Sequence, residues 1–275
     1  MASIINGSNS HSAIPYTIID SHTHVYPDKI ALKAAESIGQ FYDIRMRMNG
    51  SIQGLLQVMA EEGVSKSLIC SAALTADRVP AINNFIAATV QAHPDKFFGL
   101  MTLHPDMEDP LAEVERAMAM GLKGVKLHPD MQKFALDDPI CHKMYAACQG
   151  RCPMLLHTGD KRFRYSNPGM VPKVLDSFPG LTLICAHMGG YSEWDEAARC
   201  LKDTNVYVDC SSTFFAIDKE RALELFGVFG EDRILFGSDY PMWHVGDEIR
   251  TVLSLGLSET ALNKIFNENI LKILP

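Results

Sequence analysis

Short apolar runs alternate with longer stretches of helical spacing along most of the chain. Each run is rich in β-branched or other apolar residues and ends in a polar residue, a glycine or a proline, which is typical of a buried strand. Successive runs end roughly 25 to 50 residues apart, which suits a repeating unit of strand, crossover helix and parallel strand. The eight predicted strands are residues 16–24, 66–72, 97–104, 124–128, 154–158, 183–187, 206–212 and 234–239.

Apolar residues at helical spacing occupy the intervals between these runs. Gly63, Gly121 and Gly230 stand where a helix C-cap is expected, because glycine adopts the left-handed conformation without steric cost. The interval after the first strand is the longest, and its excess, from Tyr26 to about Gly50, predicts a long first βα loop over the strand ends. The predicted helices cover residues 52–62, 79–92, 110–120, 140–148, 170–177, 194–201, 219–229 and 257–274.

Eight βα units in series predict a single (β/α)₈ TIM-type barrel of parallel strands, a fold that usually takes about 250 residues. A doubly wound sheet is the alternative. Such sheets tend to have fewer strands and a glycine-rich first turn, and the sequence contains neither G-x-G-x-x-G nor a Walker loop. We therefore expect one barrel domain over residues 16–275, preceded by a flexible tail over residues 1–15.

The composition supports one packed domain and excludes several classes of partner. The chain has 275 residues, 47% of them hydrophobic, and a formal net charge of −8 without a basic stripe, which argues against nucleic acid as a partner. No apolar run approaches the ~20 residues that a membrane helix needs. Seven scattered cysteines without a C-x-x-C motif are typical of reduced thiols. These features predict a cytoplasmic protein that acts on a small-molecule substrate.

Histidines and one aspartate fall at the ends of predicted strands, where the chemistry of a barrel is assembled. His22 and His24 are one residue apart on a strand, so both side chains leave the same face and can converge on one ion. His157, His187 and Asp239 end three later strands. An H-x-H pair alone also occurs as two surface histidines. With the three later residues it predicts a catalytic divalent cation, Zn²⁺ first and Mn²⁺ second.

Lys126 lies inside the strand run GVKLH and is the ambiguous member of this group. A lysine buried in a barrel must be paired, neutralised or used. One alternative is an ion pair with a buried carboxylate such as Asp20 or Asp239. The other is a functional role, either as a metal ligand after capture of CO₂ as a carbamate or as a substrate anchor.

The loops after the strands carry candidate substrate-binding side chains. A guanidinium group suits bidentate capture of a carboxylate, so loop arginines predict a carboxylate-bearing substrate, although solvated arginines would look the same. Aromatic residues in these loops could form an apolar wall for a planar substrate or simply cover the barrel rim. The candidates are Arg45, Arg47, Arg162, Arg164, Tyr165 and Trp243.

The segments DSHTH, GVKLH, LLHTGD, CAHMGG and LFGSDYP, in this order, resemble the amidohydrolase superfamily. The resemblance is closest to the amidohydrolase-related group (amidohydrolase 2) that includes aminocarboxymuconate semialdehyde decarboxylase, and it runs from about Ile18 to the C-terminus. It implies that a metal is bound by four residues: His22, His24, His157 and Asp239. In the mononuclear branch the counterpart of His187 orients or deprotonates the metal-bound water. In the binuclear branch the counterpart of Lys126 is carbamylated and bridges two ions, and His187 binds the second.

Two reactions fit such a site. The first expectation is hydrolysis of an amide, cyclic amide or lactone by a metal-activated water, with Asp239 taking and returning a proton. The alternative is non-oxidative decarboxylation of an unsaturated or aromatic carboxylic acid, with Asp239 or His187 protonating the carbon that loses CO₂. The number of ions, one or two, stays open. A homodimer is what the related decarboxylases suggest. A catalytically silent metal-binding barrel is the non-enzymatic alternative.

Overall fold

The computed structural model of the protein describes residues 14–275 and contains eight parallel strands that are neighbours in chain order. This is the predicted (β/α)₈ barrel. The first thirteen residues of the predicted tail lie outside the described residues. The strands are β1 (Ile18–His24), β2 (Val64–Cys70), β3 (Phe97–Thr102), β4 (Gly124–Leu127), β5 (Met154–Leu156), β6 (Leu183–Cys185), β7 (Tyr207–Asp209) and β8 (Ile234–Leu235).

The barrel closes between β8 and β1 without a regular ladder. The backbone N–H of Ser21 donates to the Phe236 carbonyl at 2.9 Å, and the N–H of Asp239 donates to the His22 carbonyl at 2.8 Å. His24 N–H completes the seam by donating to the Tyr240 carbonyl at 2.6 Å. The seam therefore joins, through the backbone, the chain segments that carry His22, His24 and Asp239.

Most strands end before the polar residues that terminate the predicted runs. The backbone leaves β6 and β8 sharply, because His187 and Asp239 adopt left-handed conformations with φ of 62° and 58°. Such conformations cost of order 1–3 kcal/mol in non-glycine residues and concentrate at functional sites. Two of the candidate functional residues thus lie in strained turns that follow the ends of strands.

The helices surround the barrel, and three were not expected. They are α1 (Ala31–Tyr42), inside the interval predicted to be a loop, α5 (Pro129–Gln132), a single turn after β4, and α10 (Val245–Ser254), which follows β8. The predicted C-terminal helix is α11 and α12 joined by a π-helical turn (Lys264–Glu268). The helices are α1 (Ala31–Tyr42), α2 (Ile52–Glu62), α3 (Val79–Ala92), α4 (Pro110–Ala119), α5 (Pro129–Gln132), α6 (His142–Cys148), α7 (Val171–Ser177), α8 (Trp194–Leu201), α9 (Lys219–Phe229), α10 (Val245–Ser254), α11 (Glu259–Asn263) and α12 (Asn269–Ile273). Residues 76–78, 139–141 and 168–170 form 3₁₀ turns.

The barrel interior is apolar at its floor and polar at its mouth. Ile19, Leu155 and Leu235 point into the interior and pack with Ile270 of α12, which closes the N-terminal end of the barrel. A second, larger apolar core lies between the strands and the surrounding helices. No helix within residues 14–275 combines the length and the apolarity that crossing a membrane requires.

Candidate metal centre

Three side chains meet at one point at the C-terminal mouth of the barrel. The Nε2 atoms of His22 and His24 are 3.2 Å apart, and Asp239 Oδ1 lies 3.6 Å and 3.5 Å from them. Ligands that bind one tetrahedral ion at about 2.1 Å are separated by roughly 3.4 Å. The three atoms therefore have the spacing of ligands that share a divalent cation, and an imidazole–carboxylate donor set is suited to Zn²⁺ or Mn²⁺.

The second carboxylate oxygen of Asp239, Oδ2, accepts a hydrogen bond on the side away from the two histidines. Ser212 Oγ donates to Asp239 Oδ2 at 2.6 Å, and Trp243 Nε1 donates to Ser212 Oγ at 2.8 Å. Trp243 also stacks on Phe215, with ring centroids 5.1 Å apart. Trp243 was predicted to be part of a substrate wall. The structure connects it to the site through Ser212, which leaves Asp239 Oδ1 facing the two histidines.

His157 and His187 lie beside these three residues. The ring of His187 stacks on that of His22, with centroids 5.2 Å apart, and its Nε2 is 3.0 Å from His157 Nδ1. The Nδ1 of His187 faces the carbonyl of Ser211 at 3.1 Å. All five candidates from the strand ends therefore line one cavity.

Two buried carboxylates stand behind the histidines. His22 Nδ1 is 3.0 Å from Asp209 Oδ2, and His157 Nε2 is 3.5 Å from Asp130 Oδ2. His157 Nε2 has no hydrogen-bond partner within the described part of the chain. Metal-binding histidines commonly donate their rear N–H to a carboxylate, which fixes the tautomer and the ring orientation. Neither aspartate was predicted from the sequence, because nothing along the chain connects them with the histidines that they face.

Each of these carboxylates also belongs to a cluster with the spacing of a metal site. His22, His187 and Asp209 form one such triad, and His128, Asp130 and His157 form another. In the second triad the two imidazole rings are stacked almost parallel, with centroids 4.1 Å apart. One ion cannot lie in the planes of two parallel stacked rings, so we assign Asp130 an orienting role behind His157.

Lys126 is fully buried, and its amine is directed at the centre. Its Nζ is 2.8 Å from His22 Nε2, and the alternative of an ion pair with Asp20 or Asp239 is not formed. Asp20 instead accepts hydrogen bonds from the Ser238 N–H and hydroxyl. Burial lowers the pKa of Lys126, since the surroundings disfavour its charge.

Burial dominates the electrostatics of the other polar groups. It raises the pKa of Asp239 to about 6, although the nearby Lys126 opposes this rise. It lowers the pKa of His187 to about 3 and holds those of His22, His24 and His157 well below the usual range. The imidazoles are therefore neutral, which is the form that binds metal.

A cavity of about 200 Å³ opens above these groups. Its walls are mainly apolar, with Ile38 and Met46 on one side and Met131 and Met242 on others. α1 lies across the mouth, and its last residue, Tyr42, reaches into the cavity. The cavity therefore has polar side chains at its base and mainly apolar side chains around it, which suits a small, largely apolar ligand with one anionic end.

The candidate arginines lie outside this cavity. Arg45, Arg47 and Arg164 are exposed, and no arginine within residues 14–275 lines the cavity. Arg162 donates to both oxygens of Asp160, at 3.0 Å and 2.6 Å, and to the Phe41 carbonyl at 2.7 Å. Its guanidinium is therefore already paired, and it fastens the end of α1 to the loop after β5.

Tyr165, from the same loop, is half-buried outside the cavity, and its carbonyl accepts a hydrogen bond from Leu136. A substrate-binding role for Tyr165, for Trp243 or for any of the four arginines stays a prediction.

A closed parallel barrel with imidazoles and a carboxylate converging at its C-terminal mouth defines a barrel protein with a candidate metal centre. The sequence profile described as amidohydrolase matches residues 19–275, and the chain belongs to that family. The predicted family is thereby confirmed, and with it the prediction that the protein is an enzyme.

Solved structures with the same fold include decarboxylases. A TIM-barrel protein of Bordetella bronchiseptica without an assigned function is 20% identical, with a TM-score of 0.74 over 94% of this chain and 98% of that chain. A 2,6-dihydroxybenzoate decarboxylase in complex with 2,6-dihydroxybenzoate is 16% identical, with a TM-score of 0.74 over 94% and 99%. A dihydroxybenzoic acid decarboxylase of Polaromonas sp. JS666, with bound manganese and the inhibitor 2-nitroresorcinol, is 18% identical, with a TM-score of 0.71 over 94% and 96%. At these identities the likeness concerns the fold.

Proposed function

We propose that the protein is a metal-dependent decarboxylase of a small unsaturated or aromatic carboxylic acid. The observation that carries this proposal is the meeting of His22 Nε2, His24 Nε2 and Asp239 Oδ1 at the floor of a mainly apolar cavity. That two of the structural relatives are decarboxylases, one of them with bound manganese, supports decarboxylation over the hydrolysis that we expected from the sequence.

In this proposal four residues hold the divalent cation: His22, His24, Asp239 and His157. Zn²⁺ and Mn²⁺ are both compatible with these donors. When bound, the ion supplies positive charge that attracts the carboxylate of the substrate and stabilises negative charge during the reaction. Asp209 keeps the rear nitrogen of His22 protonated, so that Nε2 of this ring faces the centre, and Asp130 lies 3.5 Å behind the rear nitrogen of His157.

The side chains around the ion have separate tasks in the reaction. The apolar walls hold the planar part of the acid and exclude water. The bond between the carboxylate and the adjacent carbon breaks, CO₂ leaves, and the electron pair stays on that carbon. A proton then takes the place of the CO₂. The proton comes from water, and His187 or Asp239, which both line the cavity, relays it: the side chain takes a proton from water and passes one to the carbon, so that it ends in its starting protonation state.

Hydrolysis is the second candidate, and Lys126 is the observation that favours it. An ammonium group 2.8 Å from His22 Nε2 would compete with a metal for that nitrogen's lone pair. A carbamate at Lys126 would remove this conflict and would provide oxygens for two ions. The resemblance to binuclear amidohydrolases associates that arrangement with hydrolysis, with His187 as a ligand of the second ion.

The two reactions are distinguished by the fate of labelled water. Protein loaded with Mn²⁺ or Zn²⁺ is incubated in H₂¹⁸O with a panel of aromatic and unsaturated acids, lactones and amides. Decarboxylation releases CO₂ and gives a product without ¹⁸O. A label in the product, without CO₂ release, would replace the proposal with hydrolysis, and turnover that needs no metal would refute both. His24→Ala is expected to abolish activity, whereas His93→Ala, at the end of α3, is the matched control.

A further inference from the structure

The hydroxyl of Tyr42 is a polar group of the cavity that the proposed reaction has not used. Tyr42 ends α1 and is 9% exposed, and its ring lies over the site. Its oxygen is 2.6 Å from His128 Nε2 and 3.5 Å from His157 Nδ1. The side chain therefore enters the site from the helix that covers it, opposite the polar side chains at the base of the cavity.

The direction of the hydrogen bond between Tyr42 and His128 follows from the other nitrogen of His128. The N–H of Met131 donates to His128 Nδ1 at 3.3 Å, so Nδ1 is the acceptor nitrogen of this imidazole. An imidazole whose Nδ1 accepts a hydrogen bond carries its ring proton on Nε2. His128 Nε2–H therefore donates to the Tyr42 oxygen, and the Tyr42 O–H must find an acceptor elsewhere.

Two acceptors are available to that proton: His157 Nδ1 and a ligand in the cavity. His157 Nδ1 is 3.5 Å away and also faces His187 Nε2 at 3.0 Å. In the metal-bound form of the proposed function, this nitrogen is a ligand and has no free lone pair. The Tyr42 hydroxyl is then left as a donor directed into a mainly apolar cavity, where an unpaired donor is unfavourable.

We propose that the Tyr42 hydroxyl donates a hydrogen bond to a second oxygen of the substrate, and that His128 positions it. The inference rests on the proposed function and narrows its substrate class. The carboxylate is attracted to the ion between His22, His24 and Asp239. Tyr42 makes no hydrogen bond to these residues and contacts His128 and His157 instead. The oxygen that it selects is therefore a hydroxyl, phenolate or carbonyl oxygen carried by the acid in addition to its carboxylate.

The test compares two probes that differ by one oxygen, 2-hydroxybenzoate and benzoate. Their binding to the Mn²⁺-loaded protein is measured by titration calorimetry. The wild-type protein is expected to bind 2-hydroxybenzoate about 5- to 10-fold more tightly, the effect of one buried hydrogen bond. Tyr42→Phe keeps the ring and removes the hydroxyl, and it is expected to reduce this preference to less than about twofold.

The matched control is Tyr207→Phe, which removes a hydroxyl beside the apolar floor of the barrel and should keep the preference. The role of His128 is tested by the ratio of the affinities for 2-hydroxybenzoate and benzoate. If His128 had only a structural role, its replacement would not change this ratio. His128→Phe retains a ring against His157 but has no donor, and it should lose the preference. His128→Gln supplies an N–H near the former Nε2 and should restore it.

The outcomes separate this inference from the proposed function. If both acids bind but Tyr42→Phe leaves their ratio unchanged, or weakens both equally, the assignment of Tyr42 is wrong and the decarboxylase proposal is unaffected. If neither acid binds the Mn²⁺-loaded wild-type protein, both proposals are overturned. Thermal unfolding and the metal-to-protein ratio of each variant establish that a changed affinity does not reflect misfolding or metal loss.

Discussion

Each candidate metal-binding imidazole of this site faces two different environments, and its function depends on which nitrogen carries the proton. His22 turns Nε2 to the centre and Nδ1 to Asp209. His157 has the reverse arrangement, with Nδ1 towards His187 and Nε2 towards Asp130. A carboxylate behind a ring keeps the rear nitrogen protonated and therefore leaves the lone pair at the front. Asp209, which lies within hydrogen-bond distance of His22 Nδ1, thus determines whether that ring can bind a cation.

The hydrogen bond between Asp209 and His22 Nδ1 predicts the effect of replacing Asp209. Asp209→Asn can donate a hydrogen bond to His22 Nδ1 and so favours the tautomer whose proton is on Nε2, at the centre. We expect affinity for Mn²⁺ or Zn²⁺ to fall about 10- to 100-fold, measured by competition with a chelator. Asp203→Asn, at a carboxylate whose side chain is 88% exposed, is the control. Unchanged metal affinity in Asp209→Asn would show that this carboxylate does not orient the ligand.

At the scale of secondary-structure elements, α1 and α10 were not predicted because the sequence carries no helix start signal before either of them. The residue before α1 is Ile30, which provides no side-chain cap. α10 is capped by His244, whose Nδ1 accepts from Gly246 N–H, and histidine is not among the usual N-cap residues. Start signals are therefore absent from both segments. The strands were predicted well because burial on both faces of the barrel leaves a continuous apolar run.

The absence of a local sequence signal also limited what could be predicted of the site. Strand-end polarity predicted His22, His24, His157, His187 and Asp239, because the ends of parallel strands meet at one face of a barrel. Tyr42 could not be found in this way, since it approaches from a helix in what was expected to be a loop. Contacts that depend on how a connecting segment folds back over the mouth have no local pattern along the chain.

The position of α1 over the cavity is predicted to depend on Arg162. Its guanidinium links Asp160 to the Phe41 carbonyl and lies 5.1 Å from the ring centroids of Phe41 and Tyr42. Arg162→Met removes these contacts but retains the side-chain length. We expect amide hydrogen exchange in residues 31–42 to become about 5- to 30-fold faster, because local opening becomes less costly. Arg78→Met, at an exposed 3₁₀ turn, should not change the exchange rate of residues 31–42. If the amides of α1 exchange equally slowly in both variants, Arg162 does not hold α1 over the cavity.

α10 carries a buried carboxyl group, Glu248, that makes stability depend on pH. Burial, followed by repulsion from Asp20, Asp247 and Asp239, raises the pKa of Glu248 to about 8 from the usual 4.5. Between these values the folded state holds a proton that the unfolded state has lost, so the contribution of this group to stability falls as pH rises from 4.5 to 8.

Removing the charge of Glu248 should therefore stabilise the protein at high pH. Glu248→Gln is expected to be more stable than wild type by about 1–3 kcal/mol at pH 9 and similar to it at pH 4.5. Chemical denaturation of metal-free protein across this range measures the difference. The exposed Glu36→Gln is the control. A difference between Glu248→Gln and wild type that does not vary with pH would mean that Glu248 is ionised in the folded protein.

At the scale of the whole molecule, the barrel is held closed at the same seam that builds the candidate metal centre. The pairs from β2 to β8 are in regular register, and β1 pairs with β2 with two irregularities. Among the described residues, the backbone contacts between the β8 and β1 segments are irregular and include an isolated bridge between Thr23 and Tyr240. Asp20 spans this seam. Its carboxylate accepts from the N–H and hydroxyl of Ser238, at 2.9 Å and 2.5 Å, and from the His22 N–H at 3.1 Å.

Closure and metal binding are therefore expected to weaken together when Asp20 is replaced. Asp20→Ala leaves the buried N–H groups of His22 and Ser238 without this acceptor, so we expect a loss of about 2–4 kcal/mol in the free energy of unfolding. Because the seam fixes Asp239 relative to His22 and His24, the affinity for Mn²⁺ should also fall in Asp20→Ala. The control is Asp28→Ala, at an exposed position of the first loop, which should change neither the free energy of unfolding nor the affinity for Mn²⁺. A variant of Asp20 that lost stability but bound Mn²⁺ as tightly as wild type would show that the centre is positioned independently of the seam, by the side chains behind its ligands.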